Sequence, residues 1–182
     1  MSGDQVLMDA DRMRRTTSRI AHEILERNPE PDSFALAGIH TRGVPLAMRL
    51  AALIEKFAGE APPVGTLDIA LYRDDVGVGG RTIPLVGETS IDFDPAAHTV
   101  VLVDDVLYTG RTIRAAIDAL FDYGRPPSVQ LAVLIDRGHR ELPIRPDYVG
   151  QNLPTAVTDH VTVRLEEIDG VDEVILGVRG AS

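Results

Sequence analysis

TVVLVDDVLYTGRTIRAA, residues 99–116, joins an apolar run, a charged pair, a glycine turn and an amphipathic segment in one unit. Val100 to Val103 are uninterrupted apolar residues, which predicts a short strand buried on both faces of a parallel sheet. Asp104 and Asp105 are expected to end it. After the turn Tyr108-Thr109-Gly110-Arg111-Thr112, residues Ile113, Ala116, Ile117 and Leu120 recur at helical spacing. The carboxyl edge of a parallel strand is where open α/β sheets bind ligands. Gly110 lets the backbone approach an anion, and the N–H groups of Arg111, Thr112 and Ile113 would point at it from the helix start. Carboxylates beside such a cradle would repel a bare phosphate. They suit sugar hydroxyls or a magnesium ion that accompanies the ligand, so the unit predicts a sugar phosphate.

The chain has 182 residues, 44% of them hydrophobic, which fits one domain with one substantial core. It contains no cysteine, which excludes disulfides and thiolate chemistry. No apolar run resembles a signal peptide or approaches the roughly 20 residues of a membrane helix, so a cytoplasmic protein without a membrane partner is expected. A formal charge of −10 argues against coating nucleic acid by general electrostatics and leaves room for a local basic face. Lys56 is the only lysine among 18 basic residues.

Residues 9–28 predict a first helix, capped by Asp9 and stopped at Asn28-Pro29. Arg15, Ser18, Arg19 and His22 share one stripe of it, which reads either as a solvated face or as a phosphate-backbone surface. Residues 34–39 predict another buried strand, followed by His40-Thr41-Arg42-Gly43 and an apolar-periodic helix from Val44 to Phe57. This repeats the strand, anion turn, helix order, with Pro45 in the first helical turn. Residues 64–72 predict a strand. Tyr72, Arg73, Asp74 and Asp75 then open a glycine-rich stretch that holds Arg81, a candidate lid that excludes water. The helix starting at Arg111 is expected to reach Tyr123 and stop at Gly124. Residues 129–135 predict a further strand, and the proline-rich DRGHRELPIRPDYVGQNLPT follows. An acidic run, Glu166, Glu167, Asp169, Asp172 and Glu173, reads as a solvated edge.

DDVLYTGRT resembles the phosphoribosyl-pyrophosphate motif of type I phosphoribosyltransferases, and its LYTGRT wording is similar to the PyrR family, which combines pyrimidine-operon regulation with uracil phosphoribosyltransferase activity. HTRG resembles that superfamily's pyrophosphate loop, LYRDD the start of its flexible catalytic loop, and DRGHRELPIR the family's hood. The resemblance implies one α/β domain over residues 1–182, with a mainly parallel central sheet flanked by helices. It further implies a hood over about 137–158 and a flexible loop over about 73–90.

By the same resemblance Asp104, Asp105, Arg42 and Arg73 are catalytic, and Mg²⁺ is held indirectly by Asp104 and Asp105. Thr41, Arg42 and Gly43 would bind pyrophosphate, and Val106, Leu107, Tyr108, Thr109, Gly110, Arg111 and Thr112 the 5′-phosphate. Backbone groups of Ile135, Asp136, Arg137 and Gly138 would recognise the base. Ser18, Arg19, His22, Thr41, His139, Arg140 and Arg145 match the family's RNA-contact surface. Ser18 replaces a threonine and Gln151 a lysine common in the family, and the latter removes a charge. The implied partners are phosphoribosyl pyrophosphate, uracil, UMP or UTP, the leader of pyrimidine-operon mRNA, and further copies of the chain in a homodimer or larger oligomer. A purine or other nucleobase phosphoribosyltransferase without RNA binding is the alternative.

Overall fold

The structure is a computed structural model that describes residues 3–73 and 88–178. The elements follow in the order β1 (Gln5–Met8), α1 (Ala10–Arg27), β2 (Phe34–Ile39), α2 (Gly43–Ala58), β3 (Val64–Leu67) and β4 (Thr99–Leu107). The chain continues through α3 (Arg111–Phe121), β5 (Val129–Asp136), β6 (Tyr148–Asn152), β7 (Asp159–Arg164), α4 (Glu166–Asp169) and β8 (Glu173–Val178).

The uninterrupted apolar runs become the centre of a five-stranded sheet, in the order β3-β2-β4-β5-β6. Every adjacent pair in it is parallel. Alternate residues of β4 serve opposite faces. Val101 and Val103 pack with Met13, Ile20 and Ile24 of α1 and Leu46, Leu50 and Ile54 of α2. Val100 and Leu102 pack with Ile113, Ala116 and Leu120 of α3. A strand covered on both faces has no polar side, which is why its sequence does not alternate. A smaller antiparallel sheet, β1-β8-β7, adds Met8, Val163 and Val174 to the α1/α2 side of the core.

Four boundaries differ from the sequence expectation. β4 does not stop at the aspartates: Asp104 pairs with Val133, Val106 with Ile135 and Leu107 with Asp136. Backbone pairing is indifferent to a polar side chain, so the acidic pair lies within the strand's last stretch. β3 ends at Leu67, and Tyr72 N–H donates to Ile69 O in a turn where strand was expected to continue. α3 ends at Phe121, two residues before Tyr123, with Asp122 as its C-cap. The segment expected to form the hood contributes β6 to the central sheet, and the separate small sheet is built from the two ends of the described chain. Gly150 makes β6 possible, because a Cβ there would stand 2.3 Å from Leu134 O.

Among the described residues, no helix is long and apolar enough to cross a membrane.

Candidate active site

Three loops meet at the carboxyl edge of the parallel sheet. The first follows β4. Gly110 is the N-cap of α3 at φ +92°, a left-handed conformation that glycine adopts without Cβ strain; it offers no capping side chain, and the Thr109 hydroxyl accepts the Arg111 N–H at 3.3 Å. The first N–H groups of α3 therefore face a cleft of about 320 Å³ lined by residues 106–113, Arg73 and Glu141. N–H groups at a helix start, two threonine hydroxyls and an arginine are the kind of donors that a phosphate takes. Arg111 donates from Nε to Glu141 Oε2 at 2.7 Å, so Glu141 holds that guanidinium at the rim.

The acidic pair sits one step back. Asp104 is buried and Asp105 half-buried, and each carboxylate accepts the next residue's N–H, from Asp105 at 2.9 Å and from Val106 at 2.8 Å. Burial pushes the Asp104 carboxyl well above the usual carboxylate range, the Asp105 charge adds to this, and Arg73 opposes it. Arg73 lines the same cleft as residues 106–113. Asp74, Asp75 and Arg81 lie outside the described residues.

The second loop follows β2, across a cis His40–Thr41 peptide. Gly43 lies so close to β4 that a Cβ would stand 2.2 Å from Val103 O and 3.4 Å from the Asp104 Cα. This contact seats the loop of residues 41–43 against the end of β4. Arg42 makes a fork with Asp169 of α4, Nη2 to Oδ1 at 2.8 Å and Nε to Oδ2 at 3.3 Å. The expected solvated edge is thus corrected: Glu167 and Asp172 both accept from Arg49 of α2, and Glu173 pairs with Arg164. Sequence reading missed these partners, although Arg42 and Arg49, seven apart across α2's start, matched an acidic run awaiting counter-charges.

The third loop follows β5. Ile135 is buried, and Asp136 accepts from Gly138 N–H at 3.0 Å and from Arg140 Nη2 at 2.5 Å. Arg140 also donates to Ile144 O and Tyr108 O. Arg137, 7% exposed, donates to Thr155 Oγ1, Ala156 O and Asp159 O. A second cleft of about 340 Å³ opens between Asp136, Gly138 and Arg140 on one side and Asn152 to Pro154 on the other. Thr109 O accepts from both Glu141 N–H and Leu142 N–H, and Leu107 O accepts from Arg137 N–H. The loop after β5 is thus stitched to the loop after β4.

The residues expected to touch RNA are spread over neighbouring elements. Arg19 bonds Val149 O and Gly150 O of β6 and pairs with Glu23, and His22 stacks on Phe57 at 3.9 Å. Ser18 is half-buried, while Thr41, His139 and Arg145 are exposed. Arg140 is the exception, with its guanidinium committed inside the third loop. Gln151 Oε1 is buried without a hydrogen-bond partner.

The phosphoribosyl transferase domain family matches residues 7–168. The bifunctional protein PyrR of Roseiflexus sp. is 59% identical over 175 residues, 96% of this chain and 95% of that one. The protein of the same name from Chloroflexus aurantiacus is 56% identical over 182 residues, 100% of this chain and 99% of that one. The hypoxanthine phosphoribosyl transferase of Trypanosoma cruzi superposes with a TM-score of 0.71 at 18% identity, covering 96% of this chain and 91% of that one. A hypoxanthine-guanine phosphoribosyltransferase from Bacillus anthracis does so at 0.68 and 17%, covering 98% and 99%. At such identities these two likenesses are of fold. The near full-length identity, on a sheet whose carboxyl edge carries a phosphate cradle beside paired aspartates, has one conclusion: the chain belongs to the PyrR family of phosphoribosyltransferases.

Proposed function

We propose that the protein transfers the phosphoribosyl group of phosphoribosyl pyrophosphate to uracil, giving UMP and pyrophosphate. In the same reading it regulates pyrimidine-biosynthesis genes in the cytoplasm by binding their leader mRNA in response to UMP or UTP. The observation that carries the reading is the stitching of the two clefts at the sheet edge, through Thr109 O and Leu107 O, into one site with a phosphate end and a base end.

The new C1′–N1 bond forms as the C1′–O bond to pyrophosphate breaks and the uracil N1 proton leaves to pyrophosphate or water, so positive charge builds on the ribose and negative charge on the leaving group. Asp104 and Asp105 orient the ribose hydroxyls and offset the first, while Arg42 and Arg73 offset the second. Residues 106–112 hold the 5′-phosphate, Thr41 to Gly43 the pyrophosphate, and the backbone of residues 135–138 reads the base.

Among the described residues no three His, Cys, Asp or Glu side chains gather into a metal cage. Mg²⁺ needs none here, because it is commonly held through one or two carboxylates, water and substrate phosphates. Asp104 and Asp105 are suitable oxygen donors and would hold it through ligand or water, where it neutralises charge on pyrophosphate.

Ser18, Arg19, His22, Thr41, His139 and Arg145 supply the RNA-facing groups. A homodimer or larger assembly that sets two such faces side by side reconciles RNA binding with a formal charge of −10.

The test is one preparation assayed two ways: formation of UMP from uracil with hypoxanthine as control, and binding of a pyrimidine-operon leader at two salt concentrations with and without UMP. Uracil-specific turnover and salt-sensitive, UMP-strengthened binding are expected. Turnover of hypoxanthine in place of uracil overturns the enzyme reading, and absence of leader binding at both salts overturns the regulatory one.

A further inference from the structure

We propose that Asp169 is a positioning residue for pyrophosphate: it holds the Arg42 guanidinium so that the edge it leaves open faces the leaving group. The proposal rests on the reading of Arg42 as a pyrophosphate contact. Asp169 lies 127 residues away in sequence, on the short helix α4 between the two long strands of the antiparallel sheet.

The geometry is a fork. Asp169 Oδ1 receives Nη2 at 2.8 Å and Oδ2 receives Nε at 3.3 Å, so the carboxylate covers the Nε/Nη2 edge of the guanidinium. The Nη1 end makes no hydrogen bond to the described residues. A guanidinium has five N–H donors in one rigid plane, so fixing one edge fixes the direction of the rest.

Asp169 is itself fixed. Its Oδ2 also accepts Leu165 N–H at 2.8 Å, and its side chain is 19% exposed, against 32% for Arg42. On either side of it Glu167 and Asp172 clamp Arg49, whose guanidinium donates two hydrogen bonds to each. Arg49 stands on the same helix that Arg42 caps, so α2 is tied to this segment at two points. The arginine fork holds the Asp169 carboxyl below the usual carboxylate range, which keeps it an anion at neutral pH.

This arrangement answers a need of the site. Arg42 immediately precedes Gly43, which packs on the backbone of Val103 and Asp104, and without a fixed partner its side chain would be ordered only on binding, at a cost in affinity. Asp169 orders it beforehand. It touches no reacting atom, and its effect should therefore appear in pyrophosphate binding and spare the nucleotide.

The test uses the full chain in the reverse reaction, UMP plus pyrophosphate, with Asp169→Asn, Arg42→Ala and the double variant. Asparagine keeps an oxygen for Leu165 N–H and loses the charge. Asp169→Asn is expected to raise the KM for pyrophosphate by about 10-fold, as loss of one charge-assisted bond does, with the KM for UMP within about 2-fold. Arg42→Ala should raise the same constant at least as far, and the double variant should match Arg42→Ala alone, because Asp169 acts only through Arg42. If Arg42→Ala raises the pyrophosphate KM and Asp169→Asn leaves it at the parent value, the proposal is overturned while the Arg42 reading stands. It is likewise overturned if Asp169→Asn raises both constants equally, or if the two effects multiply in the double variant. If Arg42→Ala leaves pyrophosphate binding unchanged, the underlying reading fails and the proposal with it.

Discussion

The Arg137 guanidinium lies 4.1 Å from the centre of the Tyr108 ring, stacking a base-loop side chain on the phosphate loop. His139 meets the same ring edge-on at 6.0 Å, so Tyr108 is held between two groups of the third loop. Arg137 is also almost fully buried, and its three remaining contacts run to Thr155, Ala156 and Asp159. Replacing it with alanine removes the stack together with the bonds to Thr155 Oγ1, Ala156 O and Asp159 O. Arg137→Ala is expected to destabilise the protein by about 2–4 kcal/mol, measured by urea unfolding, and to raise the KM for uracil.

Asp104→Asn and Asp105→Asn separate chemistry from folding. The buried Asp104 carboxylate is costly to keep charged, and a neutral isostere relieves that cost. Transfer is expected to fall by about 100-fold or more in the double variant, with a melting temperature no lower than the parent's. Retained turnover would remove the pair from the active site.

Gly43→Ala probes how the pyrophosphate loop is seated. A methyl group 2.2 Å from Val103 O has no room, and the obstacle is backbone. A loss of about 3 kcal/mol in urea unfolding is expected, together with weaker pyrophosphate binding as the loop shifts off β4. Unchanged stability would mean that the loop stands farther out.

Arg140→Ala and Arg19→Ala differ in what they disturb. Arg140 holds Asp136 and the Tyr108 carbonyl, so its loss should raise the KM for uracil roughly 10-fold and weaken RNA only by loosening the loop that carries His139 and Arg145. Arg19 lies outside both clefts, bonded to β6 carbonyls, and Arg19→Ala should weaken RNA while transfer stays within about 2-fold of the parent. Steady-state kinetics beside leader titrations checks both.

Acid should loosen the α2 clamp. The Arg49 hydrogen bond holds Glu167 below its ordinary value, and at Asp172 the same guanidinium outweighs a burial effect that acts upward. Groups with depressed folded-state values contribute stability above their unfolded values of about 4, and lose it as pH falls through the folded values. Urea unfolding of the parent should therefore decline below about pH 4, and Arg49→Met should decline less steeply after an initial loss of about 1–2 kcal/mol at pH 7.

Much of this site could be read from the chain, and the exceptions share a cause. Val100 to Val103, the turn at Gly110 and the helix after it are local patterns, and they stand where expected. The end of β4 was misplaced because Asp104 and Asp105 look like punctuation, whereas the neighbouring β5 supplies their backbone partners. β6 was hidden inside a polar, proline-rich segment where Tyr148 is the only buried apolar side chain. Glu167, Asp169 and Asp172 read as surface because their partners, Arg42 and Arg49, lie more than a hundred positions earlier. Long-range pairing of opposite charges leaves no local signature.

Thr109 carries a further implication. Its carbonyl takes two N–H groups from the opposite loop, which fixes the span between the cradle at Gly110 and the rim at Asp136. In the proposed reading the site works as a ruler: a free base or a free phosphate grips one end, and a mononucleotide of matching length grips both. Such a gauge rewards the joined molecule over its parts, which is the discrimination a sensor of finished nucleotide requires.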